Sequence, residues 1–330
     1  MKTPLLFILA FLFILPPVIK AQNGHWKLIS TNDKIEGRSE CGLAAVNGKL
    51  YLLGGQGAPA PVEIFNPATS VWTKKATAPA EIHHFQPVVY KNKIYVLEAF
   101  SGGTYPDQHT LTHVYSYDTE KDRWKKEGEI PAGRRRAAAG AAVYKGKIYL
   151  VNGIQHGHVS GTTNMFDEYD PETKTWRKLP NAPHIRDHST AVVVNDKLYA
   201  IGGRNTSYHE PGNFMSFFDK TILEVDCFDF KTGKWSTLDA SLPLGTGGGT
   251  AVNLHNKIFY IGGERATKST PNGPQKDVYY LDPAGSTGWI HAADLNKARN
   301  GVGGAILNDK IYIAGGAGSD DIAIEVFESE

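Results

Sequence analysis

Cysteine is nearly absent from this chain: Cys41 and Cys227 are the only two in 330 residues. Two thiols cannot form a disulfide framework, so stability must come from a packed core. Basic runs are scarce as well. None is longer than Arg134-Arg135-Arg136. A chain without a basic stripe has no electrostatic footprint for nucleic acid, and none is expected as a partner. Long apolar runs stop early. Leu5 to Leu15 spans eleven residues, too few to cross a bilayer, and no later segment is longer and as apolar, so no membrane span is expected. That run follows Lys2, is broken by Pro16-Pro17, and precedes Ile19-Lys20-Ala21. This is the layout of a secretory leader cleaved after Ala21. No cysteine stands near that point to carry a lipid anchor. The expectation is a signal peptide over residues 1–21 and one mature domain over 22–330, secreted or periplasmic. Removing Lys2 and Lys20 with the leader leaves 33 basic residues against 34 acidic ones.

What the chain does have is glycine and proline, 35 and 18 residues, with 41% apolar and 21% charged content. That mixture fits many strands joined by tight turns. A repeat organises it. Lysine, an aliphatic residue and an aromatic residue recur six times, with the aromatic at Tyr51, Tyr95, Tyr149, Tyr199, Phe259 and Tyr312. Three residues further on stands a glycine pair: Gly54-Gly55, Gly202-Gly203, Gly262-Gly263 and Gly315-Gly316. The third repeat has Asn152-Gly153, and the second departs with Glu98-Ala99. Then comes an aromatic residue with Asn or Asp, six residues before a tryptophan: Phe65-Asn66 to Trp72, Tyr117-Asp118 to Trp124, Tyr169-Asp170 to Trp176, Phe228-Asp229 to Trp235. The fifth repeat is looser, with Leu281-Asp282 before Trp289.

This pattern resembles the kelch repeat, over residues 26–330. The resemblance implies an all-β, six-bladed kelch β-propeller. Each blade is then a four-stranded antiparallel sheet that buries its faces only by radial stacking. The innermost strand a is small and apolar, as in Ala138-Ala139-Gly140-Ala141-Ala142-Val143. Two-residue turns are expected at Asn47-Gly48, Asn92-Lys93, Gly146-Lys147, Asn195-Asp196, Asn256-Lys257 and Asn308-Asp309. The sixth repeat stops at Phe327-Glu328 without a tryptophan, and the missing strand is Trp26-Lys27-Leu28-Ile29 at the start of the mature chain. That strand is expected to complete the last blade and leave no open edge.

Strands alternate in direction, so the b–c and d–a loops share one face. The b–c loops vary most in length, and long loops on a rigid scaffold carry function. Thirteen residues before each repeat aromatic stand Arg38, Ile82, Arg136, Arg186, Thr246 and Arg299, with Asp187, His188 and Asn300 beside them. The b–c loops start with Gln56, Phe100, Ile154, Arg204, Glu264 and Ala317. Arginine binds carboxylates and sulfates in a planar fork. The expected ligand-binding set is therefore Arg38, Arg136, Arg186, Asp187, His188, Arg204, Glu264, Arg299 and Asn300. Within it, Arg186, Arg204, Arg299 and Glu264 are expected to form one pocket. The tryptophans are expected to pack between blades.

Blades 4 to 6 also resemble a broad group of secreted bacterial kelch proteins, through Arg186-Asp187-His188, Gly202-Gly203-Arg204, Gly262-Gly263-Glu264 and Arg299-Asn300-Gly301. A more partial resemblance, through Gly245-Thr246-Gly247 and Gly263-Glu264, is to the periplasmic N-acetylneuraminate epimerases. In that family a glutamate after the blade glycine and an arginine six residues on are the proposed catalytic pair. Here the second position is Thr270. The copper chemistry of galactose oxidase needs a cysteine-crosslinked tyrosine on the loop face, and neither cysteine lies there.

Three functions fit this pattern. One is a binder of a small polar or anionic ligand such as a carbohydrate, helped by Phe85, Phe100, Tyr105 and Tyr208. Another is a sugar mutarotase or epimerase with Glu264 as acid or base and His188 or Arg204 assisting. The third is a protein-interaction platform. The pairs His83-His84 and His156-Gly157-His158 could ligate a metal, but no carboxylate is adjacent to either in sequence. No metal or cofactor is expected, and the protein is expected to be a monomer.

Overall fold

The computed structural model describes residues 24–31, 35–266, 273–317 and 324–329. The expected leader over residues 1–21 lies outside them. Six four-stranded antiparallel sheets stand around a common axis. Their innermost strands are Cys41–Val46, Val88–Tyr90, Gly140–Tyr144, Thr190–Val194, Thr250–Leu254 and Gly303–Leu307. Each blade then runs outward through strands b, c and d by neighbouring hairpins. Among the described residues, no helix is long and apolar enough to cross a membrane.

The last blade is closed from the other end of the chain. Gly303–Leu307, Lys310–Ala314 and Ile324–Ser329 are followed in space by Gly24–Leu28. Trp26 stands opposite Phe327 in the ladder, with ring centroids 5.3 Å apart. The same cross-strand pairing of a strand-c aromatic with a strand-d tryptophan recurs at Phe65–Trp72, Tyr117–Trp124, Tyr169–Trp176 and Phe228–Trp235. Such aromatic pairs each add about 0.5–1.5 kcal/mol beyond area burial. The fifth blade, with the looser spacing, has an outer strand of only two residues, Ile290–His291.

Four of the tryptophans also tie their blade to the one before it. The indole N–H of Trp124 donates to Ala76 O, that of Trp235 to Pro180 O, that of Trp289 to Ala240 O, and that of Trp26 to Ala293 O. Glycine is required where blades approach most closely. A Cβ on Gly202, whose φ is +63°, would sit 2.1 Å from the Tyr260 hydroxyl oxygen of the next blade. In the second blade, Glu98 stands at this position and accepts the backbone N–H groups of Gln86 and Ala139.

The a–b turns differ from expectation in three blades. They lie one residue earlier, at Lys91-Asn92, Lys145-Gly146 and His255-Asn256, with Lys91, Lys145 and His255 at positive φ. Ladder register fixes the turn, and it overrides the preference for starting it on Asn or Gly. Cys41 and Cys227 are both buried free thiols.

Candidate functional site

The b–c and d–a loops do meet on one face, through a register repeated around the ring. The residue that follows the glycine-pair position pairs with a residue ahead of strand a of the same blade: Phe100 with His83, Ile154 with Ala137, Arg204 with Asp187, Glu264 with Gly247, Ala317 with Asn300. One position further on, at the mouth of the axial channel, stand Glu40, His84, Ala138, His188, Gly248 and Gly301. All six have positive φ, between 52° and 67°. Their backbones join across blades: His84 N donates to Glu40 O, Ala138 N to His84 O, Gly248 N to His188 O and Gly301 N to Gly248 O. Glycine takes this conformation freely. For Glu40, His84 and His188 it costs about 1 kcal/mol or more each, strain of the kind that collects at functional sites. Counting two residues beyond the arginine register picks out this ring from the sequence.

The arginines divide into two groups, and this corrects the expected arginine-lined mouth. Arg38, Arg136, Arg186 and Arg299 are buried inside their own blades. Each is paired with a strand-c carboxylate: Arg38 with Glu63 at 2.6 Å, Arg136 with Asp167 at 2.8 Å, Arg186 with Asp226 at 2.8 Å, Arg299 with Glu325 at 2.6 Å. Each also donates to backbone carbonyls at the end of strand b, such as Gly54, Leu150, Gly202 and Gly315. The pocket expected from Arg186, Arg204, Arg299 and Glu264 therefore keeps only Arg204 and Glu264. The sequence carries a sign of this. Each partner acid stands two residues before the strand-c aromatic, and it occurs in the same four blades that have the arginine. Blades 2 and 5 lack both.

Arg204 behaves differently. It leaves its own blade and donates to Glu264 Oε1 of the next blade at 2.6 Å. Its guanidinium lies over the rings of Phe218 and Phe217, at 4.5 and 5.0 Å. The other oxygen of Glu264 accepts from the Asn300 side chain at 2.9 Å, which links blades 4, 5 and 6. Beside this chain is a cavity of about 150 Å³, lined among others by Gln56, Tyr105, Gln108, Met215, Arg204 and Glu264.

His84 and His158 also line that cavity, and with His188 they form a cluster. The three rings stand 5.0–5.1 Å apart, centroid to centroid. Each offers a nitrogen within 4.8 Å of the other two. Burial holds His84 well below the ordinary imidazole range, takes His158 down to about 2, and lowers His188. Buried Phe100 packs its ring against His83, His84 and His158.

Carboxylates stand against two of these histidines, one from the adjacent residue and one from another blade. Asp187 Oδ1 is 2.6 Å from His188 Nδ1, and Glu40 Oε2 is 3.5 Å from His84 Nε2. Burial works to raise the Asp187 carboxyl, but the hydrogen bond from His188 and the charges of His188 and Arg204 outweigh it and hold the group low. Thr162 and Thr206 donate to it as well. Burial pushes Glu40 up to about 8, with Glu264 adding to the rise. Of the expected set, Asp187, His188, Arg204, Glu264 and Asn300 come together here, while Arg38, Arg136, Arg186 and Arg299 do not. His84, His158, Glu40 and Gln108 join the site and were outside the expected set. A second cluster, Asp277, His291 and Asp294, lies near the surface, and Lys276 already pairs with Asp294 at 3.1 Å.

A profile for the KLHDC2/KLHL20/DRC7 Kelch-repeats domain matches residues 18–203 and, in a second phase, 88–316. The chain belongs to the kelch-repeat family. Its curated relatives include Kelch-like protein terF of Aspergillus terreus, 27% identical over 89% of this chain and 64% of that protein. Alpha-scruin of Limulus polyphemus is 27% identical over 73% of this chain and 26% of its own length. This kelch chain thus spans less than two thirds of the first relatives it matches. N-acetylneuraminate epimerase of Haemophilus influenzae is 25% identical, over 74% of this chain and 78% of that enzyme. The solved structure described as "Structure of YjhT" superposes with a TM-score of 0.73 at 15% identity, covering 91% of this chain and 97% of that one. This likeness concerns the fold.

Proposed function

We propose that this kelch propeller is a secreted or periplasmic protein that binds a small hydroxyl-bearing ligand, such as a carbohydrate, in the cavity at the channel mouth. The Arg204–Glu264–Asn300 chain carries the reading. It places a guanidinium and a carboxylate on the wall of one cavity, with Tyr105, Phe217 and Phe218 beside them and the Asn300 amide holding the carboxylate from behind. Sugars present hydroxyls to groups of the first kind and C–H faces to aromatic rings. Glu264 keeps part of its side chain open to solvent, whereas Arg204 is buried. The carboxylate is therefore the group a ligand meets. Isothermal titration with neutral and acidic monosaccharides tests this. Binding that weakens in both Arg204→Ala and Glu264→Gln supports it, and binding that neither change alters refutes it. An epimerase-like activity predicts a different split. Glu264→Gln would then keep most of the binding and lose the acceleration of anomer exchange seen by NMR.

A protein-interaction role is favoured by one further observation. Tyr105, Tyr208, Phe214, Met215 and Leu223 are all large and exposed, and Tyr105 touches Met215 and Phe214. A cluster of this kind is what a protein partner covers. Replacing Phe214 and Leu223 with serine separates the readings: a protein partner is lost, while sugar affinity that depends on Glu264 is kept.

A further inference from the structure

Buried imidazoles do not ordinarily aim lone pairs at one another. Each ring of the cluster has its Nδ1 engaged by a group outside the cluster. His188 Nδ1 meets Asp187 Oδ1 at 2.6 Å, and His158 Nδ1 meets Gln108 Oε1 at 3.1 Å. Asp187 is an acceptor, and so is the Gln108 amide with its oxygen toward His158; in that arrangement both Nδ1 atoms carry the hydrogen, and both Nε2 atoms are bare lone pairs. Those two Nε2 atoms are 3.3 Å apart. His84 Nδ1 lies 2.6 Å from His83 Nδ1, and His83 Nε2 lies 3.7 Å from Glu81 Oε1. With the His83 hydrogen on the side of Glu81, His84 Nδ1 donates to His83, and His84 Nε2 keeps a lone pair, with Glu40 Oε2 3.5 Å away.

We propose that the Nε2 atoms of His84, His158 and His188 hold one divalent first-row transition metal ion, with Zn²⁺ the best match. Two imidazole nitrogens on a tetrahedral zinc, each bonded at about 2.0–2.1 Å, stand roughly 3.3–3.4 Å apart. The His158–His188 separation already has that value. The third ligand atom is within 4.8 Å of both, so binding draws the His84 nitrogen in toward the other two. Three neutral imidazoles suit zinc, copper, iron or nickel and not magnesium or calcium. Asp187, Gln108 and His83 are the outer partners that fix the orientation of such ligands. The positive φ of His84 and His188 turns both side chains to the mouth of the channel. Because His84 and His158 also line the cavity next to Arg204 and Glu264, the ion keeps a coordination position for water or a ligand oxygen. Metal uptake does not depend on whether that cavity takes a carbohydrate.

The test uses the full mature chain, stripped with a chelator, loaded with Zn²⁺, freed of excess by gel filtration and assayed by mass spectrometry for bound metal. The expected result is one ion per chain, lost in His158→Ala and in His188→Ala and kept in His255→Ala. Gln108→Ala is expected to weaken affinity about 10–100-fold, as outer-partner changes do. Near-UV circular dichroism checks that the variants are folded. Should one not fold, anomalous scattering from a crystal of the loaded wild type decides the position independently. A peak within bonding distance of the three Nε2 atoms upholds the proposal. Well under one ion per wild-type chain, full loading in the folded His158→Ala variant, or a peak elsewhere overturns it.

Discussion

Arg186 provides the sharpest test of the division between structural and site arginines. Its guanidinium donates to Asp226 Oδ2 at 2.8 Å, to Gly202 O at 3.0 Å and to Glu224 O at 2.9 Å. Arg186→Met keeps the volume and removes all three bonds. Asp226 retains Thr237, the His184 backbone N–H and the His184 ring nitrogen as partners, but its carboxylate is fully buried and loses the guanidinium. Breaking a buried pair in this way costs about 3–5 kcal/mol. In a chain of this size that lowers the melting temperature on the order of 10 °C. The double variant Arg186→Met/Asp226→Leu recovers part of the loss, because no charge is then left stranded. Urea titration followed by tryptophan fluorescence measures both variants. An Arg186→Met chain within about 1 kcal/mol of wild type that loses affinity for a sugar at the mouth would refute the reasoning and return Arg186 to the binding set.

Further outcomes are expected at other positions. Deleting residues 22–30 opens the sixth blade and lowers the melting temperature strongly; a truncated chain that melts like the full one refutes the closure. Burial pushes Glu98 up to about 8 from its ordinary 4.5. The folded chain therefore keeps a proton that the unfolded chain loses, and stability falls as pH rises through that window. Glu98→Gln should flatten the fall, read as the change in urea midpoint between about pH 5 and about pH 8. Both thiols should resist an aromatic disulfide reagent in the native state and react fully in denaturant, since both are buried and Cys41 is pushed up to about 11 by burial.

The blade count, the closing strand and the meeting of the b–c and d–a loops on one face could all be read from the sequence, because each rests on a spacing repeated along the chain. The roles of individual arginines could not be read from that spacing alone. Arg136 and Arg204 are both flanked by small or polar residues. What separates them is a partner: Asp167 within the same blade for Arg136, and Glu264 in the next blade for Arg204. The histidine cluster was hidden for a related reason. His84, His158 and His188 come from three different blades, and Glu40 reaches His84 through the ring and not through neighbouring sequence. Two of the six turns with expected Asn-Lys, at residues 92–93 and 256–257, slipped because lysine there belongs to the strand ladder.

The closing strand also has a consequence for how the molecule can fold. Trp26 finds its backbone partner in Phe327 and its indole acceptor in Ala293, 267 residues further along. A ribosome makes the Trp26 strand first and its ladder partner last. Five blades can form from neighbouring hairpins as they emerge, while the first strand remains an unmatched edge. The sixth sheet thus contains the contacts of greatest sequence separation in the molecule, and forming them carries the largest loop-closure entropy. Closure that follows the rate-limiting barrier predicts that substitutions in Gly24–Leu28 raise the unfolding rate more than they slow folding; stopped-flow rates that show mainly slower folding would place closure at the barrier itself.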